Sequence, residues 1–311
     1  MNLNIIYMGT PLFSVKPLEE LIKNYNVVGV VTQPDKLVGR KKELKFSPVK
    51  EFALKHDIKV LQPVKIRDEF QSILDLKPDL IITCAYGQIL PKELLNYPKY
   101  KCINIHASLL PKLRGGAPIH HALISGEEYT GISIMYMSEK MDQGDILYQE
   151  KLKIEDNDDV LTLHEKLSDL GSKMIVNFLP DFLNNNFKSI KQNEEEATYG
   201  YNISKEDEKI DFNDLSKNLY NKIRGLSPWP VGYAIFNEKR LKIYSSRIGN
   251  SNKDGKIGEI INIYDDGIGV KTKDGEIVIT ELQIEGKSKC SAKVYLNGIH
   301  NKNELLGKII E

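Results

Sequence analysis

The sequence has few cysteines, and their spacing supports no disulfide framework. Cys84, Cys102 and Cys290 are the three cysteines among 311 residues, and no two of them form a CxxC pair. An odd, scattered set of this kind predicts a reducing compartment, and we expect the cytoplasm. The chain also lacks an apolar run near the roughly 18 residues that a membrane span needs, so no membrane association is expected. Its opening residues, MNLNIIYMGT, lack the pattern of a signal peptide.

The chain has no excess of charge of either sign. It contains 43 Lys and Arg and 43 Asp and Glu, which give a formal net charge of zero. This balance excludes binding to nucleic acid through overall charge alone, but it leaves local basic patches open. The proportions of 41% hydrophobic and 28% charged residues are typical of a globular protein, and the length favours two domains.

Several common catalytic motifs are also missing. The first predicted strand ends at Gly9-Thr10-Pro11, where a dinucleotide-binding fold would carry GxGxxG, so an NAD enzyme is disfavoured. The sequence contains neither a GxSxG elbow nor a P-loop. His120 and His121 are adjacent and the other histidines are scattered, so no zinc-ligand spacing occurs and no metal is expected.

The first part of the chain alternates between short apolar runs and helix-like stretches. The predicted strands span residues 3–8, 27–32, 80–85, 102–106 and 132–137. Several of them are rich in Ile and Val with little polar alternation, as expected of strands buried on both faces. This rhythm predicts an α/β fold with an open, mostly parallel, Rossmann-like sheet, whose ligands bind outside the carboxyl ends of the strands.

The amino-acid composition changes after this region. Residues 184–209 are polar and nearly free of aliphatic side chains, which is typical of a linker or a long surface loop. The remaining chain has short β-like runs separated by Asp-Gly turns, which predict a small OB-like β-barrel. We therefore expect a catalytic domain over 1–188, a linker over 189–206 and a C-terminal domain over 207–311.

Two polar segments could carry chemistry. Asn104 and His106 alternate along one strand, so their side chains project from the same face near its carboxyl end. The acidic turn at 141–145 follows the next strand, and if that turn also lies at a carboxyl end it would bring Asp142 to His106. The amide and imidazole could donate to an oxyanion while the carboxylate orients and charges the imidazole. A core Asn, a solvent-facing His and a purely structural Asp turn are the alternatives.

A basic segment follows the second predicted strand. Residues 36–45 hold five positive charges and one negative charge, and turn-forming residues flank them. The segment is either a solvated surface loop or a site of phosphate contact at the rim of the sheet.

At these motifs the chain resembles the methionyl-tRNA formyltransferase family. The resemblance rests on residues 104–111, continuing into 114–119, and on the Asp turn at 141–145; residues 31–35, 85–91 and 227–230 also match in kind and order. The family usually has Leu and Thr where this chain has Met141 and Gln143, and a glycine where it has Lys41. The last difference leaves the conformation of the basic loop open.

The resemblance implies transfer of a formyl group from 10-formyltetrahydrofolate, a co-substrate, to the methionine amino group of initiator methionyl-tRNA. It assigns catalysis to Asn104, His106 and Asp142, and tRNA contact to Arg40, Lys41 and Lys42. It also implies a monomer and an OB-like domain that follows the tRNA phosphates. The residues implied for folate binding are Ser108, Leu109, Leu110, Pro111, Gln88, Ile89 and Leu90, with the backbone around 139–142.

Three other functions remain open at this point. A sugar-amine formyltransferase shares the Asn-His-Asp set but has no evident need for the basic segment at 36–45. Glycinamide ribonucleotide formyltransferase shares the chemistry but lacks the terminal barrel. A non-catalytic RNA-binding protein gives no reason for the Asn104, His106 and Asp142 set.

Overall fold

The computed structural model describes residues 3–39, 43–251 and 253–311, and these residues form two compact units. The first takes the described parts of Met1–Pro118, Tyr129–Lys153 and His164–Tyr201. The second takes the described parts of Ile119–Glu128, Ile154–Leu163 and Asn202–Glu311. No helix of the described chain is long and apolar enough to cross a membrane.

The first unit is built on a sheet that is parallel over most of its width. The strands of this unit are β1 (Asn4–Gly9), β2 (Asn26–Val31), β3 (Lys36–Val38), β4 (Glu43–Lys45), β5 (Val60–Leu61), β6 (Leu80–Cys84), β7 (Cys102–His106), β8 (Tyr129–Tyr136) and β9 (Ile146–Lys153). β3 and β4 form a separate hairpin, and the others form the sheet. The described strands of the sheet have the order β5-β2-β1-β6-β7-β8-β9. Neighbours from β5 to β7 are parallel, whereas β8 and β9 are antiparallel additions. The predicted α/β fold is confirmed.

Burial explains why the central strands carry so little polar alternation. Ile5, Ile6, Tyr7 and Met8 of β1 are all fully buried, which requires a layer of structure on each face of the sheet. The helices that the structure describes are α1 (Val15–Asn24), α2 (Pro48–Lys55), α3 (Gln71–Leu74), α4 (Lys92–Asn96), α5 (Pro118–Ile124), α6 (Val160–Leu183), α7 (Ser216–Leu226) and α8 (Ala292–Asn297). Because β1, β6 and β7 are parallel neighbours, their carboxyl ends meet at one edge of the sheet.

The second unit contains an antiparallel sheet, which confirms the predicted change to β structure. Its strands are β10 (Gly232–Phe236), β11 (Lys239–Ile248), β12 (Ile260–Ile263), β13 (Ile268–Lys271), β14 (Glu276–Ile284) and β15 (Cys290–Ser291). They follow the order β10-β11-β14-β13-β12, and β15 pairs with β14. Ile243, Ile277 and Ile279 are fully buried in its core, together with Ile223 of α7.

The polar segment after α6 is more closely attached to the first unit than its composition indicates. Ile190 pairs with Ile146 at the start of β9, and Gln192 is buried. Backbone groups and polar side chains make these contacts, so this segment is partly buried although it has few aliphatic residues. The limits of 1–188, 189–206 and 207–311 stay a prediction, while the contacts place residues up to Tyr201 with the first unit.

Candidate active site

Asn104 and His106 lie on the same face of β7, near its carboxyl end, as their spacing predicts. Asn104 is half-buried and His106 is buried. The Thr83 hydroxyl, on neighbouring β6, donates to Asn104 Oδ1 over 2.7 Å. Because that bond occupies the carbonyl end of the amide, the NH₂ end is presented as a donor. Thr83 stands opposite Asn104 in the parallel register and is a supporting residue that was not predicted from the sequence. The available signal was its hydroxyl within the otherwise apolar strand Leu80–Cys84.

Both ring nitrogens of His106 face an oxygen atom. Nε2 lies 3.0 Å from the backbone carbonyl of Leu113, which can only accept, so Nε2 carries a proton. Nδ1 lies 3.8 Å from Asp142 Oδ2, which is an ion-pair distance and too long for a hydrogen bond. The imidazole is therefore held through Nε2 by the Leu113 carbonyl, with Nδ1 turned toward the Asp142 carboxylate.

The structure brings Asp142 to His106, but not by the expected route. Strand β8 is antiparallel to β7, with His106 opposite Ser133 and Ile103 opposite Tyr136. The end of β8 therefore lies beside the amino end of β7, and the connection after Tyr136 has to return toward His106. The expectation that the Asp turn follows a carboxyl end at the same edge is wrong, because the strand before it runs the other way.

The turn that carries Asp142 is held in an unusual backbone conformation. Asp142 has a φ of +53°, in the left-handed region that few side chains adopt. The backbone N–H of Gly115 donates to Asp142 Oδ2 over 2.9 Å, which fixes the carboxylate beside the imidazole. Gly144 lies so close to the end of β8 that an added Cβ would stand 1.8 Å from the Tyr136 carbonyl oxygen. The Asp-x-Gly spacing therefore has a steric cause in this fold.

The residues predicted to bind folate follow the carboxyl ends of the neighbouring strands β6 and β7. After β6, Ile89 is 55% exposed, whereas Leu90 is a buried core side chain. Gln88 Oε1 accepts a hydrogen bond from the backbone N–H of Ile66 over 2.9 Å. After β7, Leu110 is buried, and the Ser108 hydroxyl donates to the Lys112 carbonyl over 2.6 Å.

The side chains of Leu90, Ser108 and Leu110 are buried in the interior, so folate contact through them is disfavoured. Exposed Ile89 and half-buried Leu109 offer apolar surface at the same edge as Asn104 and His106. This composition fits a flat, partly apolar ring system beside the donors. Pro111 follows Leu110 and is half-buried.

The predicted tRNA-contact residues Arg40, Lys41 and Lys42 lie outside the described residues. The strands that flank them, β3 and β4, form an antiparallel hairpin in which Lys36 pairs with Lys45. Lys36 and Lys45 are both exposed. The described part of the basic segment is thus a surface hairpin.

Comparison with known proteins places this chain in a family. A family model described as "Formyl transferase" matches residues 1–179, and "Formyl transferase, C-terminal domain" matches residues 202–300. A methionyl-tRNA formyltransferase of Staphylococcus epidermidis is 49% identical over 309 residues, covering 98% of this chain and 99% of its own. The enzyme of that name from Bacillus subtilis is 49% identical over 300 residues, 95% of each chain. The chain belongs to the methionyl-tRNA formyltransferase family.

Solved structures of formyltransferases share the fold of this family member at lower identity. An N-formyltransferase of Helicobacter canadensis, solved with folinic acid and dTDP-3-aminofucose, has a TM-score of 0.68 at 21% identity, covering 90% of this chain and 99% of its own. A methionyl-tRNA formyltransferase of Clostridium thermocellum has a TM-score of 0.57 at 20% identity, covering 91% and 98%. Sugar and tRNA enzymes therefore share this architecture, and fold alone does not separate their substrates.

We expect Gly144→Ala to damage the site through the backbone. The methyl group would collide with the Tyr136 carbonyl and displace the Asp142 turn, so both the melting temperature and the rate of formyl transfer should fall. Gly275→Ala is the matched control, because its added Cβ would meet nothing nearer than 3.8 Å. Thermal unfolding and activity of both variants test this, and a Gly144→Ala protein as stable and active as the control would contradict it.

Proposed function

We propose that this chain transfers a formyl group from 10-formyltetrahydrofolate to the amino group of methionine on initiator methionyl-tRNA. The observation that carries the proposal is the convergence of Asn104, His106 and Asp142 in a chain that is 49% identical to a named methionyl-tRNA formyltransferase over 98% of its length. When bound, the folate supplies the formyl carbon. The protein's part is to orient the two substrates, stabilise negative charge and handle protons.

Asn104 is suited to stabilise the oxyanion. As the amine attacks the formyl carbon, the formyl oxygen gains negative charge, and a donor already in place stabilises that charge without reorganising. The bond from Thr83 to Asn104 Oδ1 holds the amide so that its NH₂ end serves as this donor. The orientation is fixed before the substrates arrive.

His106 contributes through its positive charge. Its Nε2–H is engaged by the Leu113 carbonyl and its Nδ1 faces Asp142, so the imidazolium acts on the nearby oxyanion by charge in this arrangement. A direct N–H bond to the formyl oxygen would require Nε2 to leave the Leu113 carbonyl. Asn104 is therefore the direct donor in this proposal, and His106 is the adjacent cation.

Asp142 balances that cation and serves as the proton acceptor for the attacking amine. Its Oδ2 accepts from Gly115 and faces His106, while its other oxygen has no hydrogen bond among the contacts of the described residues. An ionised carboxylate is acceptor-only, so it can take the proton that the amine loses on attack. That proton then goes to the folate nitrogen that leaves.

The acceptor is proposed to be tRNA rather than an amino sugar. A positively charged surface hairpin has no task in formylating a small amine, but it suits the phosphates of an acceptor stem. The relatives that are half identical over nearly the whole chain carry the tRNA name, whereas the sugar enzyme is 21% identical. Arg40, Lys41 and Lys42 are proposed to contact the tRNA, and the cytoplasm is the matching location.

Removing the oxyanion donor should slow chemistry more than binding. Asn104→Ala is expected to lower kcat by about 10²–10³-fold, the usual effect of losing such a donor, and His106→Ala should also lower kcat strongly. Folate affinity should change far less, because the apolar edge near Ile89 is intact. Steady-state kinetics and folate-binding titration measure both, and near-normal turnover in either variant would overturn the assignment of that residue.

Neutralising Arg40, Lys41 and Lys42 of the basic segment should affect tRNA use alone. Replacing Arg40, Lys41 and Lys42 with Gln is expected to lower kcat/KM for methionyl-tRNA while folate affinity is kept. The slope of log K against log salt should also flatten, by up to about 0.9 for each tRNA phosphate that the variant no longer neutralises.

The control neutralises three exposed lysines elsewhere on the first unit, namely Lys55, Lys99 and Lys173. It removes the same net charge without touching the hairpin. If both triple variants show the wild-type salt slope and kcat/KM, the hairpin has no role in tRNA binding. The sugar-amine hypothesis would then gain support.

A further inference from the structure

Gln192 is a buried amide in a segment whose composition resembles a linker. It is 6% exposed, although the residues on either side of it are exposed. Its Nε2 donates to two backbone carbonyls, that of Asp142 over 2.8 Å and that of Gly144 over 2.7 Å. The side chain thus spans the turn that presents the Asp142 carboxylate.

Arg114 determines which end of the Gln192 amide faces that turn. Arg114 donates to Gln192 Oε1 through Nε over 3.0 Å and through Nη2 over 2.8 Å. A guanidinium has no acceptor, so the amide oxygen must point toward it and both amide hydrogens must point the other way. The amide cannot flip without losing all four of these hydrogen bonds.

The charge of Arg114 is itself compensated from the same segment. Arg114 is fully buried, and a buried cation without a partner is strongly unfavourable. Glu194 accepts both Nη groups over 2.9 Å, and this bond from Arg114 lowers the pKa of the Glu194 carboxyl. The carboxylate therefore remains ionised across the neutral range, and Arg114 stays in place as the support for Gln192.

The same segment also holds the backbone at 113–114, next to the site. The backbone N–H groups of Leu113 and Arg114 donate to the Thr198 hydroxyl and carbonyl, each over 2.9 Å. Leu113 supplies the carbonyl that faces His106, and the following Gly115 supplies the N–H that binds Asp142. Residues 192–198 therefore connect the supports of both ionisable side chains.

We propose that Gln192 is a positioning residue that holds the left-handed Asp142 turn, so that the carboxylate faces His106 and the attacking amine. The inference rests on the proposed function. Gln192 contacts no reacting group, and it acts through the two carbonyls on either side of Gln143. Its loss should therefore reduce the rate of the chemical step by a larger factor than it reduces substrate affinity, because misplacing a catalytic group is costly even when binding is retained.

Gln192→Glu is the most informative substitution. It keeps the shape and the acceptor for Arg114, but it replaces both N–H donors with an oxygen that faces two carbonyl oxygens. We expect kcat to fall by about 10–100-fold, with KM for methionyl-tRNA near wild type and folate affinity reduced by a much smaller factor than kcat. Gln192→Ala, which removes the donors without adding repulsion, should also lower kcat.

Gln283→Glu is the matched control. Gln283 also accepts through Oε1, from the Tyr244 hydroxyl over 3.0 Å, and donates through Nε2 to a backbone carbonyl, that of Lys287, over 2.8 Å. It lies in the second unit, and neither of these partners belongs to the proposed site. The same change of amide to carboxylate there should leave kcat unchanged.

A double-mutant cycle separates positioning from general structural damage. In single-turnover experiments with enzyme in excess, Gln192→Glu should cost much less in an Asp142→Asn background than in the wild type, because residues that act through one another are not additive. Equal losses in the two backgrounds, an unchanged kcat in Gln192→Glu, or losses of folate affinity as large as the loss of kcat would each overturn the inference. A wild-type protein that formylates no methionyl-tRNA would instead overturn the proposed function.

Discussion

The pairing of the Asp142 carboxylate with the His106 imidazole is the interaction on which the rest of the site depends. At 3.8 Å, with the histidine buried, the two groups are within ion-pair distance but are not directly hydrogen-bonded. Their separation is therefore set by backbone held from outside the pair. The Gly115 N–H fixes the Asp142 carboxylate and the Leu113 carbonyl fixes the His106 imidazole, so one short stretch of chain determines the geometry of both.

That short stretch is in turn held by a polar segment rather than by apolar packing. Arg114, buried between Gln192 and Glu194, makes the region dependent on complete hydrogen bonding, since a buried guanidinium tolerates no missing partner. A network of this kind gives rigidity only when every member is satisfied. Its position beside the Asp142 turn is consistent with a site that must be preorganised for an oxyanion.

Much of the fold could be predicted from the sequence, because the burial of each strand determines its pattern of apolar residues. Strands such as β1 must be apolar on both faces, and the spacing of Asn104 and His106 on one strand requires a shared face. The supports of the site were not predictable in the same way. Strand β8 runs antiparallel to β7, which no periodicity reveals, and Gln192 is buried by specific hydrogen bonds within a segment of polar composition.

In the proposed reaction, Asn104, His106 and Asp142 act together to transfer the formyl group to the amine of methionyl-tRNA. The most direct measurement is the specificity of the purified wild-type protein, as kcat/KM with 10-formyltetrahydrofolate, for charged initiator tRNA against a nucleotide-linked amino sugar. We expect rapid formylation of methionyl-tRNA, no appreciable formylation of the sugar, and loss of the tRNA reaction in Asn104→Ala. Preference for the sugar amine, or tRNA formylation that survives loss of Asn104, would contradict it.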